Sequence, residues 1–538
     1  MHSLNLMAPL LDDGAGVGNE TNDSTNGHND SHKPRFLIIG AGSRGNSYAR
    51  AVADAGLGTI VAVADPIEFK RKRLGFRYIW GEAQPSPNQE FAGYAQYVRY
   101  EIQRRKDEAA GHDVSPGIDG VFVCVLDEQH VEVVEALGPL GLHIMCEKPL
   151  ATTLKDCLKM QRSIQASPES TFAIGHVLRY SPHNMLLRHL VLEQGVIGEI
   201  LSIEHTEPVG WWHFSHSYVR GNWRKEKTTA PSLLTKSCHD IDFLLWMLCS
   251  PAPGSRQSPH MPCRITSTGS LKQFQRRHKP SEAGDATNCL SCPIRDSCMY
   301  SSPRIYYDRH LAKGNAKWPV HIVNPEVEAL HAQGETEKAK EALFDSLAED
   351  YTVGKTPARD IESRPWYGRC VWESDNDVVD DQYVTFEWED DPLPDGRIKG
   401  RGAKSANFHM IAQSLAQCER RGRIYGTAGE ISYDSKSITV YDFTDGETRK
   451  YNPEVPKNSH HGGGDDGLAK QFVEAVAAVQ TRRMSVEDAQ LAFMGCTLEE
   501  VVRSHAAVFA AEEARLHKKV VVWKDWWRAN VLSQLGNS

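Results

Sequence analysis

The stretch "FLIIGAGSRG", residues 36–45, decides the fold of the first part of this chain. An apolar run stops at Gly40 and is followed by Gly42 and Gly45, a spacing that lets a buried strand turn sharply onto a helix. Gly40 permits the turn, Gly42 lets backbone N–H groups approach a pyrophosphate, and Gly45 allows close helix packing. The motif therefore predicts a dinucleotide site in this turn.

A carboxylate follows the turn at the position where a bound ribose needs one. Asp65 ends the next apolar run, "TIVAVAD", and an acid there accepts ribose hydroxyls and disfavours a 2′-phosphate. NAD is therefore expected rather than NADP, although Arg44 and Arg71 leave NADP open. Ser43 and Arg44 lie inside the turn and are expected beside the cofactor. The alternative is a glycine-rich bend in a protein that binds no nucleotide.

Five continuous apolar runs indicate a parallel sheet covered by helices: "FLIIG", "TIVAVAD", "DGVFVCV", "LHIMCEK" and "TFAIGHV". Helix-period segments separate them, which predicts a doubly wound α/β fold, a Rossmann domain over 34–178. Segments such as "DDQYVTFEWED" then alternate apolar and polar residues, as half-exposed antiparallel strands do. We therefore expect a second α/β domain over 179–538, with a polar insertion around 252–365. Residues 1–33, rich in Asn, Asp, Ser and Gly, predict a disordered tail.

The composition excludes several classes of protein. The 538 residues carry a formal net charge of −9, which gives no reason to expect a nucleic acid partner. No apolar stretch is long enough to cross a bilayer, and the N-terminus lacks the pattern of a secretory signal. Twelve cysteines are too few for a disulfide scaffold in so long a chain. A reducing, cytoplasmic location is the expectation.

"LHIMCEKPLATT" places Glu147, Lys148 and Pro149 at the carboxyl end of a buried strand. Open α/β sheets hold their ligands at this edge, so Lys148 is a candidate acid or base for an alcohol substrate. Pro149 would fix the backbone there, and a cis peptide bond is one way to do so. The alternative is a surface lysine that ends the strand.

The chain resembles the Gfo/Idh/MocA family, the group of glucose-fructose oxidoreductase and inositol dehydrogenase. The resemblance rests on these segments, in family order: "GAGSRG", "VADP", "VLDEQH", "CEKPLATT", "RYSP", "GEI", "KSCHDID", "GTAGEI" and "HGGGDDGL". It implies a Rossmann domain joined to an α/β domain with an open, mostly antiparallel sheet, through which copies pair into a homo-oligomer. It also implies that Lys148 serves the proton transfer, that Tyr180 faces the substrate, and that Asp127, His130 and Glu147 lie at the cofactor.

The segment "LLTKSCHDIDFLLWML" is expected to form a helix with Thr235 and His239 on one face. His239 is a candidate to carry the proton of an alcohol, with Lys236 and Asp240 orienting it or the substrate. The family often has an aspartate where this chain has Thr235, so Lys236 takes the place of the usual acidic partner. The alternative is that His239 and Asp240 form a structural hydrogen bond between domains.

"GWWHFSHSYVRGNWR" combines aromatic and polar side chains in a composition that suits a sugar or polyol. Trp212 and His213 are therefore candidate substrate contacts. Aromatic residues at strand spacing are equally typical of a core or of a subunit interface.

"NCLSCPIRDSC" places Cys289, Cys292 and Cys298 in a C-x2-C-x5-C pattern inside the expected insertion. Two cysteines at the first spacing suit a structural Zn²⁺, and the third is near enough to join them. Cys370, Cys263 and His278 are candidates for the fourth ligand. The alternative is a cluster of reduced thiols without metal.

Three functions are therefore compared. The first is a dehydrogenase that transfers a hydride between NAD(P) and a sugar-like secondary alcohol, with Lys148 and His239 at the proton step. The second is a non-catalytic NAD-binding regulatory protein, and the third a redox-neutral glycosidase that retains its NAD. Keeping Glu147, Lys148 and His239 together favours an enzyme, because a binding protein needs no proton-transfer pair.

Overall fold

The structure is a computed structural model that describes residues 33–250, 257–456 and 459–536. The disordered tail expected over 1–33 lies outside these ranges, apart from its last residue. Within the described ranges, no helix has both the length and the apolar character that a bilayer crossing requires.

A six-stranded parallel sheet, sheet A, forms the N-terminal half, with the strand order β3-β2-β1-β4-β5-β6. Its strands are β1 Arg35–Ile39, β2 Thr59–Ala64, β3 Glu90–Phe91, β4 Gly120–Val123, β5 His143–Cys146 and β6 Phe172–Ile174. The connecting helices are α1 Ser43–Ala55, α2 Glu68–Tyr78, α3 Tyr94–Ala109, α4 His130–Leu137 and α5 Leu154–Gln165. The expected Rossmann fold is confirmed, and the five apolar runs coincide with the strands other than β3.

A nine-stranded mixed sheet, sheet B, forms the second half, with the order β14-β13-β12-β11-β7-β10-β9-β8-β15. Its strands are β7 Ile200–Pro208, β8 Arg264–Ser270, β9 Asp381–Trp388, β10 Lys404–Ile411, β11 Arg421–Gly426, β12 Gly429–Asp434, β13 Ile438–Asp442, β14 Thr448–Tyr451 and β15 Val521–Val522. Only the pair β7 and β10 is parallel within this sheet, so the expected open, mostly antiparallel sheet is confirmed.

Helices outside the insertion cover the two sheets. They are α6 Pro182–Arg188, α7 Trp211–Phe214, α8 Ser232–Thr235, α9 Cys238–Leu248, α14 Gly464–Gln480, α15 Val486–Ala489, α16 Leu498–His517, α17 Trp523–Trp527 and α18 Ser533–Leu535. The late helix α14 packs on sheet A, where the ring of Phe472 lies 5.8 Å from Phe36 and 5.3 Å from Phe122. The end of the chain therefore completes the core of the N-terminal half.

The insertion begins later than the sequence predicts. The expected range 252–365 contains β8, and Ser270 on β8 is paired with Asp381 on β9, so the chain leaves sheet B over 271–380. The segment "RITSTGS" contains one apolar side chain, Ile265, so its sequence does not show the apolar alternation of a strand. The insertion has its own apolar core and the helices α10 Val320–Val323, α11 Glu326–Ala332, α12 Thr336–Ala348 and α13 Ala358–Glu362.

Candidate active site

The glycine turn between β1 and α1 has the shape that a dinucleotide needs. Gly40 has a φ of +95°, and a Cβ there would lie 2.3 Å from the carbonyl oxygen of Cys124. A Cβ on Gly45 would lie 2.1 Å from the Gly40 oxygen, whereas one on Gly42 would meet no atom within 4 Å. Gly40 and Gly45 are therefore fixed by packing, and Gly42 leaves open space for a ligand.

The helix α1 begins at this open space without a side-chain cap. Gly42 precedes its first turn, which contains no acidic side chain, so its N–H groups are free to bind an anion. Asp65 accepts hydrogen bonds from the backbone N–H groups of Ala41 and Ile67, both at 2.7 Å. This carboxylate ties the glycine turn to the end of β2, where the ribose of a dinucleotide lies in this fold. The residues present thus fit NAD.

Arg44 is not free to bind a cofactor phosphate, contrary to the expectation that left NADP open. Its Nε donates to Glu147 at 2.7 Å, its Nη1 to Asp465 at 2.6 Å, and its Nη2 to the Tyr48 hydroxyl at 2.7 Å. Despite burial, the Arg44 charge holds the pKa of Glu147 below its ordinary value. Arg44 therefore links α1, β5 and α14 rather than pointing to solvent. Arg71 is also engaged, since its Nε donates to Glu90 at 2.7 Å.

Lys148 extends from the end of β5 toward the C-terminal half. Its Nζ donates to the backbone oxygen of Thr235 at 2.5 Å, one turn before His239. The Lys148–Pro149 peptide bond is cis. The buried ring of His130 lies 2.7 Å from the Pro149 oxygen through Nδ1, so His130 supports this loop. Asp127 accepts a hydrogen bond from the Trp223 indole at 2.8 Å.

His239 lies in a buried cluster of charged side chains. Nη2 of Arg420 lies 2.6 Å from Nε2 of His239 and donates to Glu207 at 2.6 Å. Nε2 of His239 also lies 3.1 Å from Oδ2 of Asp240, so this nitrogen is held between a guanidinium and a carboxylate. Nδ1 is buried, and it has no hydrogen-bond partner among the described residues. A ligand oxygen at this position would satisfy it.

Asp240 stabilises the cluster instead of facing a substrate. Its carboxylate accepts from Nε of Arg420 at 2.8 Å and contacts Nε2 of His205 at 2.9 Å. Although burial alone would raise the pKa of Asp240, Arg420 holds it well below the ordinary value. The expected substrate contact is corrected, because neighbouring protein side chains surround this carboxylate.

The expected helix through His239 is broken. It consists of α8 and α9, and the break at Lys236 and Ser237 separates Thr235 from His239. Nζ of Lys236 lies 3.0 Å from the Cys418 sulfur and 3.2 Å from Glu207. Burial works against its charge, but these two neighbours raise the pKa of Lys236, so it remains a cation.

His213 joins this group from α7. Its Nδ1 lies 3.4 Å from the Cys418 sulfur, and its ring packs edge-on against Trp318 of the insertion. Burial, followed by the charge of Lys236, lowers the pKa of His213 well below its ordinary value, so its ring is neutral. The insertion therefore supplies one wall beside the charged cluster.

Four residues of this site were missed by sequence reasoning: Glu207, Arg420, Cys418 and His461. The ring of His461 lies 6.2 Å from that of His239, and its Nδ1 lies 2.8 Å from Asp465. Two signals point to members of this group: an acid at a strand position that should be apolar, Glu207 in "IEHTEP", and His461 at the start of "HGGGDDGL".

Two family models match the chain. Residues 34–172 match the oxidoreductase family, NAD-binding Rossmann fold, and residues 191–260 match the C-terminal alpha/beta domain of the same family. The chain belongs to the Gfo/Idh/MocA oxidoreductase family. The expected resemblance is confirmed.

The curated relatives match this chain over only part of their own length. The 2,7-anhydro-N-acetylneuraminate hydratase of Escherichia coli is 32% identical over 131 residues, 24% of this chain and 34% of the relative. The inositol 2-dehydrogenase of Rhizobium meliloti is 28% identical over 169 residues, 31% of this chain and 42% of the relative. The chain thus spans less than half the length of these two relatives.

Solved structures show the same fold over nearly the whole chain. An oxidoreductase from Agrobacterium radiobacter in complex with NAD⁺, L-tartaric acid and magnesium has 12% identity and a TM-score of 0.54. A levoglucosan dehydrogenase in complex with NADH and levoglucosan has 14% identity and a TM-score of 0.54. Both comparisons cover 91% of this chain and 98% of the other chain.

Two residues expected to contact the substrate, Tyr180 and Trp212, are packed in apolar cores instead. The Tyr180 hydroxyl donates to the Met494 oxygen at 3.0 Å, and its ring is buried in the core that α14 shares with sheet A. Trp212 is buried in the core of the insertion against Trp318 and His310. Both residues are close in sequence to residues of the site, but their rings pack against other apolar side chains.

The cysteines form a separate site in this family member. Cys289, Cys292, Cys298 and Cys370 line one pocket in the insertion. Cys263 instead contacts the Glu387 oxygen at the start of β8, and neither it nor His278 lines this pocket.

Proposed function

We propose that the chain is an NAD-dependent oxidoreductase that transfers a hydride between the nicotinamide and a secondary alcohol of a sugar or polyol. The observation that carries the proposal is the position of Lys148, which reaches the backbone one turn before His239 at the edge of sheet A where ligands bind. Nδ1 of His239 is buried, and no group of the described residues forms a hydrogen bond with it. Burying so many charged groups is costly, which is typical of sites whose charges have a function.

Each residue then has a role. When bound, NAD supplies the hydride acceptor. The open space at Gly42 and the uncapped start of α1 hold the pyrophosphate, and Asp65 lies at the ribose. Lys148 exchanges the proton of the substrate hydroxyl through Nζ, and His239 hydrogen-bonds the same oxygen through Nδ1. Arg420 and Asp240 position the ring of His239 through Nε2, which leaves Nδ1 for the substrate.

The same site favours a polyol over an apolar alcohol. Lys236 and His213 provide polar groups beside Cys418, and Glu207 is an acceptor that both Lys236 and Arg420 contact. NAD is favoured over NADP because Arg44 and Arg71 already form ion pairs with Glu147 and Glu90.

The test is the reduction of NAD and NADP, measured by the absorbance of the reduced cofactor, across hexoses, anhydrosugars, sugar acids and inositols. Wild type is compared with Lys148→Met and with Lys155→Met, an exposed lysine on α5 that serves as the matched control. We expect one polyol class to reduce NAD, with a loss of roughly 10²- to 10⁴-fold in Lys148→Met and none in Lys155→Met. Equal activity of the two variants would contradict the role of Lys148.

A redox-neutral reaction is the second candidate, because the Escherichia coli relative is named a hydratase and hydration needs no net oxidation. Turnover of an anhydrosugar or glycoside without accumulation of NADH would favour it. NAD binding without turnover of any member of the panel would favour the non-catalytic regulatory protein.

A further inference from the structure

The four cysteines of the insertion are brought together by backbone pairing of two distant segments. The N–H of Cys289 donates to the Gly368 oxygen and that of Cys370 to the Thr287 oxygen, both at 2.8 Å. Cys292 and Cys298 follow Cys289 in the same tight turn region. All four are free thiols and line one pocket.

A buried cation lies in the wall of the same pocket. Arg220 is 1% exposed and donates to the backbone oxygens of Arg369 and Tyr300, both at 2.6 Å, and to the Cys289 sulfur at 3.3 Å. No carboxylate forms an ion pair with it among the described residues. Its Nη1 is buried and finds no hydrogen-bond partner in the part of the chain that the structure describes. A buried guanidinium in this position calls for a negative charge beside it.

The separation of the sulfurs distinguishes a single ion from a larger centre. A zinc ion binds four thiolates at about 2.3 Å, which holds the sulfurs about 3.8 Å apart. In the described ranges, sets of three ligand atoms that all lie within 4.8 Å of one another occur twice, and neither set contains any of these cysteines. No three of the four sulfurs therefore lie that close together. A wider centre therefore fits better than zinc.

We propose that Cys289, Cys292, Cys298 and Cys370 bind a [4Fe–4S] cluster, with Arg220 as its buried counter-ion. Four cysteine thiolates are the usual ligands of such clusters, and together they give the centre a net negative charge. The cluster would bind residues 289–298 to Cys370 and so stabilise the insertion that packs against His213. Its role is structural, and it requires no change of oxidation state.

The experiment uses the full chain, produced in iron-supplemented medium and purified without oxygen. Iron, acid-labile sulfide and zinc are measured per chain, together with the visible absorbance and the electron paramagnetic resonance spectrum after reduction. We expect about four iron and about four sulfide per chain. One zinc per chain without iron would overturn the assignment. So would reduced thiols that take up no cluster during anaerobic reconstitution with ferrous iron and sulfide.

Substitutions test whether these cysteines bind the cluster and whether Arg220 lies beside it. Cys292→Ser is expected to lose most of its iron, whereas Cys263→Ser, which lies outside the pocket, is expected to keep it. Arg220→Gln removes the positive charge beside the cluster and is expected to lower its reduction potential, while Arg220→Lys preserves it more closely. Equal iron in Cys292→Ser and Cys263→Ser, or no difference in potential between the two Arg220 variants, would contradict the proposal.

Discussion

The cofactor side and the substrate side of the candidate active site consist of different kinds of chemical groups. The cofactor side is one short turn, Gly40 to Gly45, whose backbone N–H groups and open space need few side chains. The substrate side is a group of charged side chains, Glu207, His239 and Arg420, that come from separate parts of the chain. The first depends on shape and the second on charge balance, so the two sides should respond to different kinds of substitution.

The largest effect is expected from removing one charge on the substrate side. Arg420→Met leaves Glu207 and Asp240 buried without their main cation, so we expect a loss of about 3–5 kcal/mol in the free energy of unfolding. Urea unfolding measures it. The control is Arg421→Met, whose side chain is exposed on the neighbouring position and should change stability by less than about 0.5 kcal/mol. Similar effects of both variants would show that charge balance does not govern this side.

His239→Gln is expected to affect activity rather than folding. Glutamine can accept from Arg420 but lacks the second ring nitrogen, Nδ1, that hydrogen-bonds the reacting oxygen, so kcat should fall by roughly 10²-fold or more. The measurement is steady-state kinetics on the best substrate of the polyol panel, with thermal unfolding as the folding control. A change confined to KM would mean that His239 only binds the substrate.

On the cofactor side, substitutions of Gly40 and Gly42 are expected to have different effects. Gly40→Ala places a Cβ against the Cys124 backbone at a φ that disfavours side chains, so we expect a loss of about 1–3 kcal/mol in stability. Gly42→Ala meets no protein atom, so it should leave the stability of the free protein unchanged and weaken NAD binding about tenfold or more. Denaturant unfolding and NAD titration test the pair. If Gly42→Ala binds NAD normally, the pyrophosphate does not lie in this turn.

The effect that is smallest at neutral pH concerns His505, a buried residue that supports the loop after Lys148. Burial lowers the pKa of His505 to about 3, and its Nε2 accepts a hydrogen bond from the N–H of Leu150, just after Lys148. A folded pKa below the unfolded value of about 6.5 gives stability that is complete above pH 6.5 and is lost as the pH falls toward 3.

His505→Gln should therefore make this acid-side decline shallower by up to about 1.4 kcal/mol per pH unit. Urea midpoints measured between pH 7 and 4, about one pH unit apart, give the slope. An unchanged slope would mean that the unfolded chain does not protonate this histidine more readily than the folded protein.

The contrast also explains what the sequence could predict. The turn at Gly40–Gly45 and the lysine at the end of β5 are local, so their spacing carried enough information to place them. Arg420 binds Glu207 across 213 positions, and no local pattern marks such a pair. Composition and resemblance predict Trp212 and Tyr180 as substrate contacts, but neither determines the direction in which a ring points. Contacts between residues that are far apart in the sequence can be identified only from the three-dimensional structure.

The connection between β8 and β9 has a consequence for how this chain arose. Because Ser270 is paired with Asp381, a short turn between them would restore an ordinary antiparallel hairpin and leave the register of sheet B unchanged. The insertion therefore resembles a separate module accepted at a hairpin tip, the kind of position that tolerates added segments. Such a module can evolve its own core and its own cysteine pocket while the ancestral sheet keeps its strand pairing.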